Sequence, residues 1–233
     1  MLRRLRWIAI ALPLPILLLM ALRPKQPPPV VIPGGFHWRN SSYLSGEEFH
    51  AIEGNGIQRV YFKMLDISWS PAYGAHPISV VLPSYQWSNW HHRSGPWTGL
   101  VEFVPSIYIT NNTFAQLNDR GVVELVGKLL RELRNDAPQR IAGVLLDCDW
   151  TASTRARFFR LTQLMNDSLD VPVSAAIRLH QYADPKGTGI PPADRGMLMV
   201  YNVGQLTEHG ATNSIFDEAT AARATAELAV LTR

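Results

Sequence analysis

The stretch that most constrains the fold is a short apolar run that ends in two carboxylates. Residues 141–146 are apolar or glycine, and an Asp-Cys-Asp-Trp segment follows them directly. Such a run is too short for a helix and suits a buried parallel strand. Because side chains alternate along a strand, Asp147 and Asp149 are expected on one side, ~6.6 Å apart at the backbone. Thr151 is predicted to cap a helix over residues 152–169.

The same strand-then-helix pattern recurs along the chain. Because strands alternate with helices, the predicted class is α/β with a parallel sheet. Besides the strand that ends at Asp147, the predicted strands are 36–38, 59–67, 100–110, 171–180 and 197–203. The other predicted helices are 45–54, 119–135 and 213–231.

The predicted fifth strand separates two architectures of this class. Ser174, Ala176, Arg178 and His180 should share one face, and the opposite face is apolar. An open doubly wound sheet is covered by helices on both faces and should be apolar on both. A polar face favours a (β/α) TIM-type barrel, although six strands fall short of eight. Truncation at the C-terminus is the leading explanation, and missed strands or closure by a partner are the alternatives.

Composition supports one domain and argues against a nucleic-acid partner. The chain has 233 residues, 46% of them apolar and 18% charged, which suits a core of ordinary size. The net charge of +3 comes from basic residues near the N-terminus, and the remainder is close to neutral. The single cysteine, Cys148, excludes an intrachain disulfide.

The N-terminal 35 residues indicate export. Residues 1–22 carry three arginines and then an uncharged apolar run, which is typical of a signal peptide or an N-terminal membrane anchor. Residues 23–35 contain five prolines and are predicted to be an extended linker. The barrel-like domain then covers residues 36–233. We therefore expect it on the periplasmic or extracellular side, secreted or held at the membrane by the N-terminus.

The two strand-end aspartates are the predicted catalytic pair. Sites in parallel α/β folds form at the carboxyl ends of the strands. Two carboxylates there repel each other, so the pKa of one should rise and suit it to act as an acid. Asp149 is assigned the acid role and Asp147 the orienting role, with Arg178 and His180 compensating their charge. The alternative is an ion-pair network that performs no chemistry.

Other residues are predicted to bind substrate because they lie at strand ends or in an aromatic loop. The aromatic loop, residues 85–97, offers rings that stack on sugars, and its alternative role is to pack as a small core of its own. No metal site is predicted, because the histidine pair in this loop points apart. The predicted substrate-binding residues are Asp66, Trp90, Asn111, Arg178, His180, Gln181, Tyr201 and Asn202.

Two of these segments resemble family-18 glycoside hydrolases, the chitinase-like barrels. Residues 143–150 resemble the fourth-strand signature of that family, with Asp147, Asp149 and Trp150 at its second acid, third acid and aromatic positions. Thr151 stands where the family has its acid-donating Glu. Residues 199–204 resemble the family's Met-x-Tyr-Asp stretch, whose Tyr and Asp hold the substrate acetamide. Tyr201 matches that Tyr, and Asn202 replaces the Asp.

A closer resemblance is to an uncharacterised family of bacterial exported or membrane-anchored proteins. It covers most of residues 36–216 and implies no established activity. The motifs that carry it are Asp-Cys-Asp-Trp-Thr at 147–151, Ile-Arg-Leu-His-Gln at 177–181, Gly-x-Pro-Pro-x-Asp at 189–194, Met-x-Tyr-Asn-x-Gly at 199–204 and Asn-Ser-Ile at 213–215.

Three functional hypotheses follow from these residues. The first is a glycoside-hydrolase-like enzyme without a cofactor, acting on an extracellular or cell-envelope polysaccharide. The second is a non-catalytic glycan-binding or scaffold protein on the same fold, which the missing Glu favours. The third is a Mg²⁺-dependent phosphatase of the haloacid-dehalogenase type, because Asp147-x-Asp149-x-Thr151 after an apolar strand resembles its first motif.

Overall fold

A parallel sheet forms the centre of the protein. The computed structural model describes residues 32–41, 43–81, 101–136, 141–200, 218 and 222. Within them, one sheet has the order β1-β2-β4-β5-β6-β7 with parallel neighbours, and it curls into a half-barrel. Its strands are β1 (Gly34–His37), β2 (Arg59–Ser70), β3 (Gly74–Val80), β4 (Glu102–Ile109), β5 (Val144–Asp147), β6 (Val173–Arg178) and β7 (Arg195–Met199).

The helices lie between successive strands, so the predicted α/β class is confirmed. Within the described residues they are α1 (Gly46–Gly54), α2 (Asn111–Gln116), α3 (Asp119–Asp136), α4 (Arg155–Ser168), α5 (Leu179–Ala183) and α6 (Pro185–Thr188). Glu218 and Ala222, inside the predicted last helix, are also helical. No helix in these residues is long and apolar enough to cross a membrane.

Local sequence signals explain two of the helices. At the start of α1, the Ser45 Oγ accepts a hydrogen bond from the Glu48 N–H, and the Glu48 carboxylate accepts one from the Ser45 N–H. These paired bonds satisfy two amides that the first turn leaves unpaired. On α3 the predicted apolar stripe packs into the core. Its buried residues are Val122, Leu125, Val126, Leu129 and Leu133.

The two faces of the sheet have different surroundings. On the helix-covered face, strand side chains such as Phe62, Ile107 and Leu146 join the large core with the helices. On the opposite face, here called the inner face, the packed residues form a smaller cluster. Its buried members are Val104, Leu145, Ala176 and Met199. Polar side chains toward the carboxyl ends of the strands on the inner face are therefore candidates for a site.

A β-hairpin extends the sheet beyond the predicted strands. β2 has 12 residues and continues past the expected end at residue 67. It returns as β3, which is antiparallel to residues 65–70 of β2. The Lys128 Nζ atom on α3 donates a hydrogen bond to the Ala75 carbonyl over 3.1 Å, which fixes the hairpin against the helix layer.

Several other predicted boundaries were wrong. β1 covers Gly34–His37, whereas the first strand was predicted over residues 36–38. The fourth-strand helix begins at Arg155 and not at 152, and Thr154 rather than Thr151 precedes it. The reason is local, because the Thr151 N–H donates to the Thr154 Oγ and adds a turn before the helix. The fifth predicted strand ends at Arg178 and not at 180, and the sixth begins at Arg195 and not at 197.

Candidate functional site

Asp147 and Asp149 lie at the carboxyl end of β5. Asp147 is the last residue of the strand, and its side chain is 14% exposed, while that of Asp149 is 51% exposed. The residues between and after them turn away from solvent, since Cys148 is fully buried and Trp150 is 3% exposed. The alternation expected from the sequence is therefore present, although β5 itself ends at Asp147.

One arginine contacts both carboxylates. Arg178 is the last residue of β6, the strand next to β5. Its Nη2 atom donates to the Asp147 Oδ1 over 3.0 Å, and its Nε–H donates to the Asp149 Oδ1. The guanidinium suits this arrangement because its donors lie in a rigid plane and stay charged at any ordinary pH. The compensation of charge expected for Arg178 is thus seen as two direct contacts.

The Asp147 carboxyl has a raised pKa. Burial raises the pKa of this carboxyl from 3.8 to about 6, against the opposing effect of the Arg178 guanidinium. The charges of Asp149 and Asp66 add to the increase. Since this pKa lies near neutral pH, Asp147 can hold a proton in weakly acidic solution and donate it. The acid role that the sequence assigned to Asp149 therefore fits Asp147 better.

Three polar residues stand side by side across three strands. Asp66 on β2 is in register with Tyr108 on β4, and Tyr108 is in register with Asp147 on β5. In parallel strands, residues in register point to the same face. An irregularity between Lys63 and Leu65 inserts one extra residue into β2, which brings Asp66 to the inner face.

Tyr108 was missed by the sequence interpretation. Its side chain is partly buried, and its hydroxyl makes no hydrogen bond to another described residue. Burial raises the pKa of this phenol, and the neighbouring Asp149 and Asp147 raise it further, so Tyr108 stays a neutral donor. The sequence contains a signal for Tyr108. Val104, Ser106 and Tyr108 are alternate residues on one face of the predicted strand, and this face becomes polar toward the strand end, as it does on the fifth predicted strand.

Lys63 is the second cation near this row. Its Nζ atom lies 2.5 Å from the Asp66 Oδ2 and donates to the Asn40 Oδ1 over 2.8 Å. The row and its neighbours thus carry three carboxylates and two cations. The carboxylates are Asp66, Asp147 and Asp149, and the cations are Lys63 and Arg178. A nearly balanced set of charges with a neutral phenol suits a polar, uncharged ligand better than a polyanion.

Gln181 was predicted to bind substrate, and the structure corrects this. Its side chain is 2% exposed. Its Oε1 accepts a hydrogen bond from the Arg178 N–H over 2.9 Å, and its Nε2 donates to the Trp150 carbonyl over 3.3 Å. Both ends of the amide are used inside the protein. Gln181 therefore joins the ends of β5 and β6 and positions the Asp149 segment beside Arg178.

His180 is not on the strand face to which it was assigned. Since β6 ends at Arg178, His180 lies in the short helix α5 and is exposed. The fifth-strand alternation does not reach it, and compensation of the aspartate charges falls to Arg178. Any contact of His180 with substrate remains a prediction.

Asn111 begins α2, directly after β4, as a strand-end residue should. Its Oδ1 accepts a hydrogen bond from the Thr154 Oγ over 2.5 Å. This bond links the end of β4 to the turn before α4. The amide oxygen that was expected to bind sugar hydroxyls thus already accepts one hydrogen bond within the protein. The remaining predicted binding residues, Trp90, Tyr201 and Asn202, lie outside the described residues.

Cys148 and Trp150, which follow β5, pack inside the protein. The Trp150 ring stacks on Phe158 with centroids 5.0 Å apart, and its Nε1–H donates to the Thr188 carbonyl. Burial raises the pKa of the Cys148 thiol well above its usual value, so this thiol is a poor nucleophile. These contacts hold the loop that carries Asp149.

Two cavities in the described residues lie away from the aspartates. One of about 260 Å³ lies between β1 and α1 and is lined by Phe36, Leu44, Ile52 and Val60 among others. The other, of about 110 Å³, lies beside β6 and β7 near Ile190. The aspartates, in contrast, lie on the inner face of the sheet, and we place the candidate site there because its charged groups converge.

No protein-family model matches the chain, and no curated protein matches it.

Proposed function

We propose that the protein is glycoside-hydrolase-like, built on a TIM-type barrel, and acts on an extracellular or cell-envelope polysaccharide. The observation that carries the proposal is a carboxyl of raised pKa, Asp147, beside a half-exposed second carboxyl, Asp149. Glycoside hydrolysis uses such a pair, one as proton donor and one as the group that faces developing positive charge.

The proposed step assigns each carboxyl a task. The proton on Asp147 passes to the glycosidic oxygen as its bond to the anomeric carbon breaks. The carboxylate of Asp149 stabilises the positive charge that develops on the sugar. A water molecule then bonds to the anomeric carbon as the product hydroxyl, and the proton that it releases returns to Asp147. Arg178 holds both carboxylates in place, since it donates to each of them. Tyr108 and Asp66 offer hydrogen bonds to sugar hydroxyls.

The second candidate is a glycan-binding protein without activity. It is favoured by the same contacts of Arg178, because a carboxylate that is bound to a guanidinium is less available for proton transfer. Thr151, at the position where the resembling hydrolases carry their acid, favours it too. This candidate uses the same inner face and differs only in the absence of turnover.

The phosphatase hypothesis has less support among the described residues. A Mg²⁺ ion would need the oxygens of Asp147 and Asp149, and Arg178 donates hydrogen bonds to both of these side chains. No group of three His, Cys, Asp or Glu side chains is placed to hold a metal among the residues that the structure describes.

A glycan panel tests the proposal. The full chain is incubated with β-1,4-linked N-acetylglucosamine and glucose oligosaccharides and with isolated peptidoglycan, and both binding and reducing ends are measured. Turnover by the wild type, lost in Asp147→Asn and Asp149→Asn but kept in Asp170→Asn, supports the enzyme. Asp170 is exposed and serves as the matched control. Binding without turnover supports the glycan-binding candidate. If the chain neither binds nor cleaves any glycan of the panel, both candidates are rejected.

A further inference from the structure

A continuous surface runs along the inner face of β2, toward the end of the strand. β4 pairs with one edge of β2 from Arg59 to Ile67. β1 pairs with residues 59–62 of β2 and β3 pairs with residues 65–70, so both occupy the other edge, one after the other. The inner face therefore continues from β1 along β2 onto the hairpin. Between Lys63 and Ser70 this surface extends ~23 Å, which is longer than a single sugar ring.

An exposed tryptophan lies at one end of this surface. Trp38 directly follows β1 and is 53% exposed. Its ring contacts Phe36 with centroids 4.6 Å apart, and Phe36 stacks on Tyr61 at 6.2 Å. Since Phe36 and Tyr61 belong to the inner-face cluster, Trp38 is held on that face.

An exposed tyrosine lies at the other end, and polar groups lie between. Tyr73, in the turn of the hairpin, is 75% exposed, and its ring centroid lies 5.5 Å from that of His76. His76 is in register with Ser68, which is two residues beyond Asp66 and shares its face. We call Trp38, Lys63, Asp66, Ser68, Tyr73 and His76 the β2 strip.

The β2 strip is fixed in place. The ion pair of Lys63 with Asp66 and the bond from Lys63 to Asn40 order its centre. The bond from Lys128 to the Ala75 carbonyl ties the hairpin to α3. A surface that is ordered before binding loses less conformational freedom when a ligand binds.

We infer that the β2 strip binds a linear, uncharged polysaccharide over several sugar units, with Trp38 and Tyr73 as stacking platforms. Aromatic faces bind the apolar faces of sugar rings, and the hydroxyl and imidazole groups between them bind sugar hydroxyls. Lys63 and Asp66 balance each other, so the strip lacks the excess of cations that a nucleic acid requires. Lys63, Asp66 and Ser68 lie between the two exposed rings, so the strip is not the contiguous apolar patch that marks a protein interface. The inference rests on the proposed function and specifies its substrate as a chain.

A chain-length comparison tests the β2 strip. Calorimetry measures binding of the β-1,4-linked N-acetylglucosamine disaccharide and hexasaccharide, and of the matching glucose oligomers, to the full chain. In at least one of the two sugar series, the wild type should bind the hexasaccharide more tightly than the disaccharide. Tyr73→Ala should weaken hexasaccharide binding roughly three- to tenfold and leave the disaccharide unchanged. Tyr73→Phe, which keeps the ring, should restore it.

Val123 supplies a control for this test, and Trp38 supplies a second pair of variants. Val123→Ala removes an exposed apolar side chain on α3 and should change neither affinity. Trp38→Ala should act as Tyr73→Ala does, and Trp38→Phe keeps a ring on Phe36 if the alanine variant unfolds. If the wild type binds or cleaves sugars and the Tyr73 and Trp38 variants keep the full chain-length dependence, the β2 strip is refuted alone. If the wild type neither binds nor cleaves any oligomer, the proposed function fails and the inference with it.

Discussion

The Nη2 atom of Arg178 lies 3.0 Å from the Oδ1 of Asp147, where two neighbouring strands end. The same guanidinium also contacts Asp149, so one positive charge is shared between two carboxylates. Burial of Asp147 therefore has only partial compensation, and its pKa is raised despite the ion pair. This relationship links the stability of the fold to the protonation state of the candidate acid.

Asp147→Asn should stabilise the protein above pH 6 and have little effect below pH 4. The pKa of Asp147 is raised from 3.8 to about 6 in the folded protein, so the folded state binds a proton more tightly than the unfolded state. The stability that the neutral carboxyl supplies is complete below 3.8 and is lost as the pH rises through about 6. Asn mimics the neutral form, so the free energy of unfolding should increase by roughly 1–3 kcal/mol at pH 8.

Urea unfolding of the wild type and Asp147→Asn at pH 4, 6 and 8 measures this effect. Asp170→Asn, at an exposed site, should show no such pH-dependent difference. A variant that is less stable than the wild type at pH 8 would contradict the raised pKa.

Arg178→Lys should destabilise the protein, and more at high pH than at low pH. A lysine keeps the charge but cannot reach both carboxylates with a planar fork. At pH 8 the free energy of unfolding should fall by roughly 1–3 kcal/mol, and the loss should shrink near pH 4 as Asp147 takes a proton. Removal of the guanidinium contact should also raise the pKa of Asp147, since Arg178 lowers it.

Arg120→Lys is the matched control for this change. Arg120 pairs with Glu124 on the surface of α3, where the two side chains are 88% and 59% exposed. Its substitution should alter the free energy of unfolding by less than about 0.5 kcal/mol. Equal losses for Arg178→Lys and Arg120→Lys would show that the shared guanidinium has no special role.

Gln181→Leu should destabilise the protein because it removes the side-chain partner of one buried and one partly buried backbone group. The Arg178 N–H and the Trp150 carbonyl both bond to this amide. Leucine has a similar volume, so the loss measures hydrogen bonding and should be roughly 2–4 kcal/mol in the free energy of unfolding. Gln163→Leu, at an exposed position of α4, should change it by less than about 0.5 kcal/mol. Similar values for the two variants would return Gln181 to the list of candidate ligands.

The elements could be predicted from the sequence because their signals are local. The apolar spacing on α3 and the Ser45 to Glu48 cap each depend on a few neighbouring residues. The apolar run before Asp147 likewise indicated β5, and the alternation of strands and helices indicated the parallel sheet.

Which residues meet at the site depends on how neighbouring strands align, and this alignment cannot be read from the sequence. Tyr108 joins Asp66 and Asp147 only because three strands align, and Asp66 aligns only because β2 has an extra residue near Lys63. The end of β6 at Arg178 likewise follows from the amide bonds of Gln181, which no periodicity reveals. A search for strand alternation on β4 would have found Tyr108.

Ser70→Ala should leave the protein as stable as the wild type or make it more stable by up to about 1 kcal/mol. The Ser70 hydroxyl is the one buried side-chain polar atom without a hydrogen-bond partner in the described part of the chain. Folding removes this hydroxyl from water and supplies no partner, and alanine avoids that loss.

Thr162→Val is the contrasting variant, because the Thr162 hydroxyl donates to the Phe158 carbonyl over 2.9 Å. Its free energy of unfolding should fall by roughly 0.5–1.5 kcal/mol in urea denaturation. A loss above about 1 kcal/mol in Ser70→Ala would mean that this hydroxyl has a partner in solution.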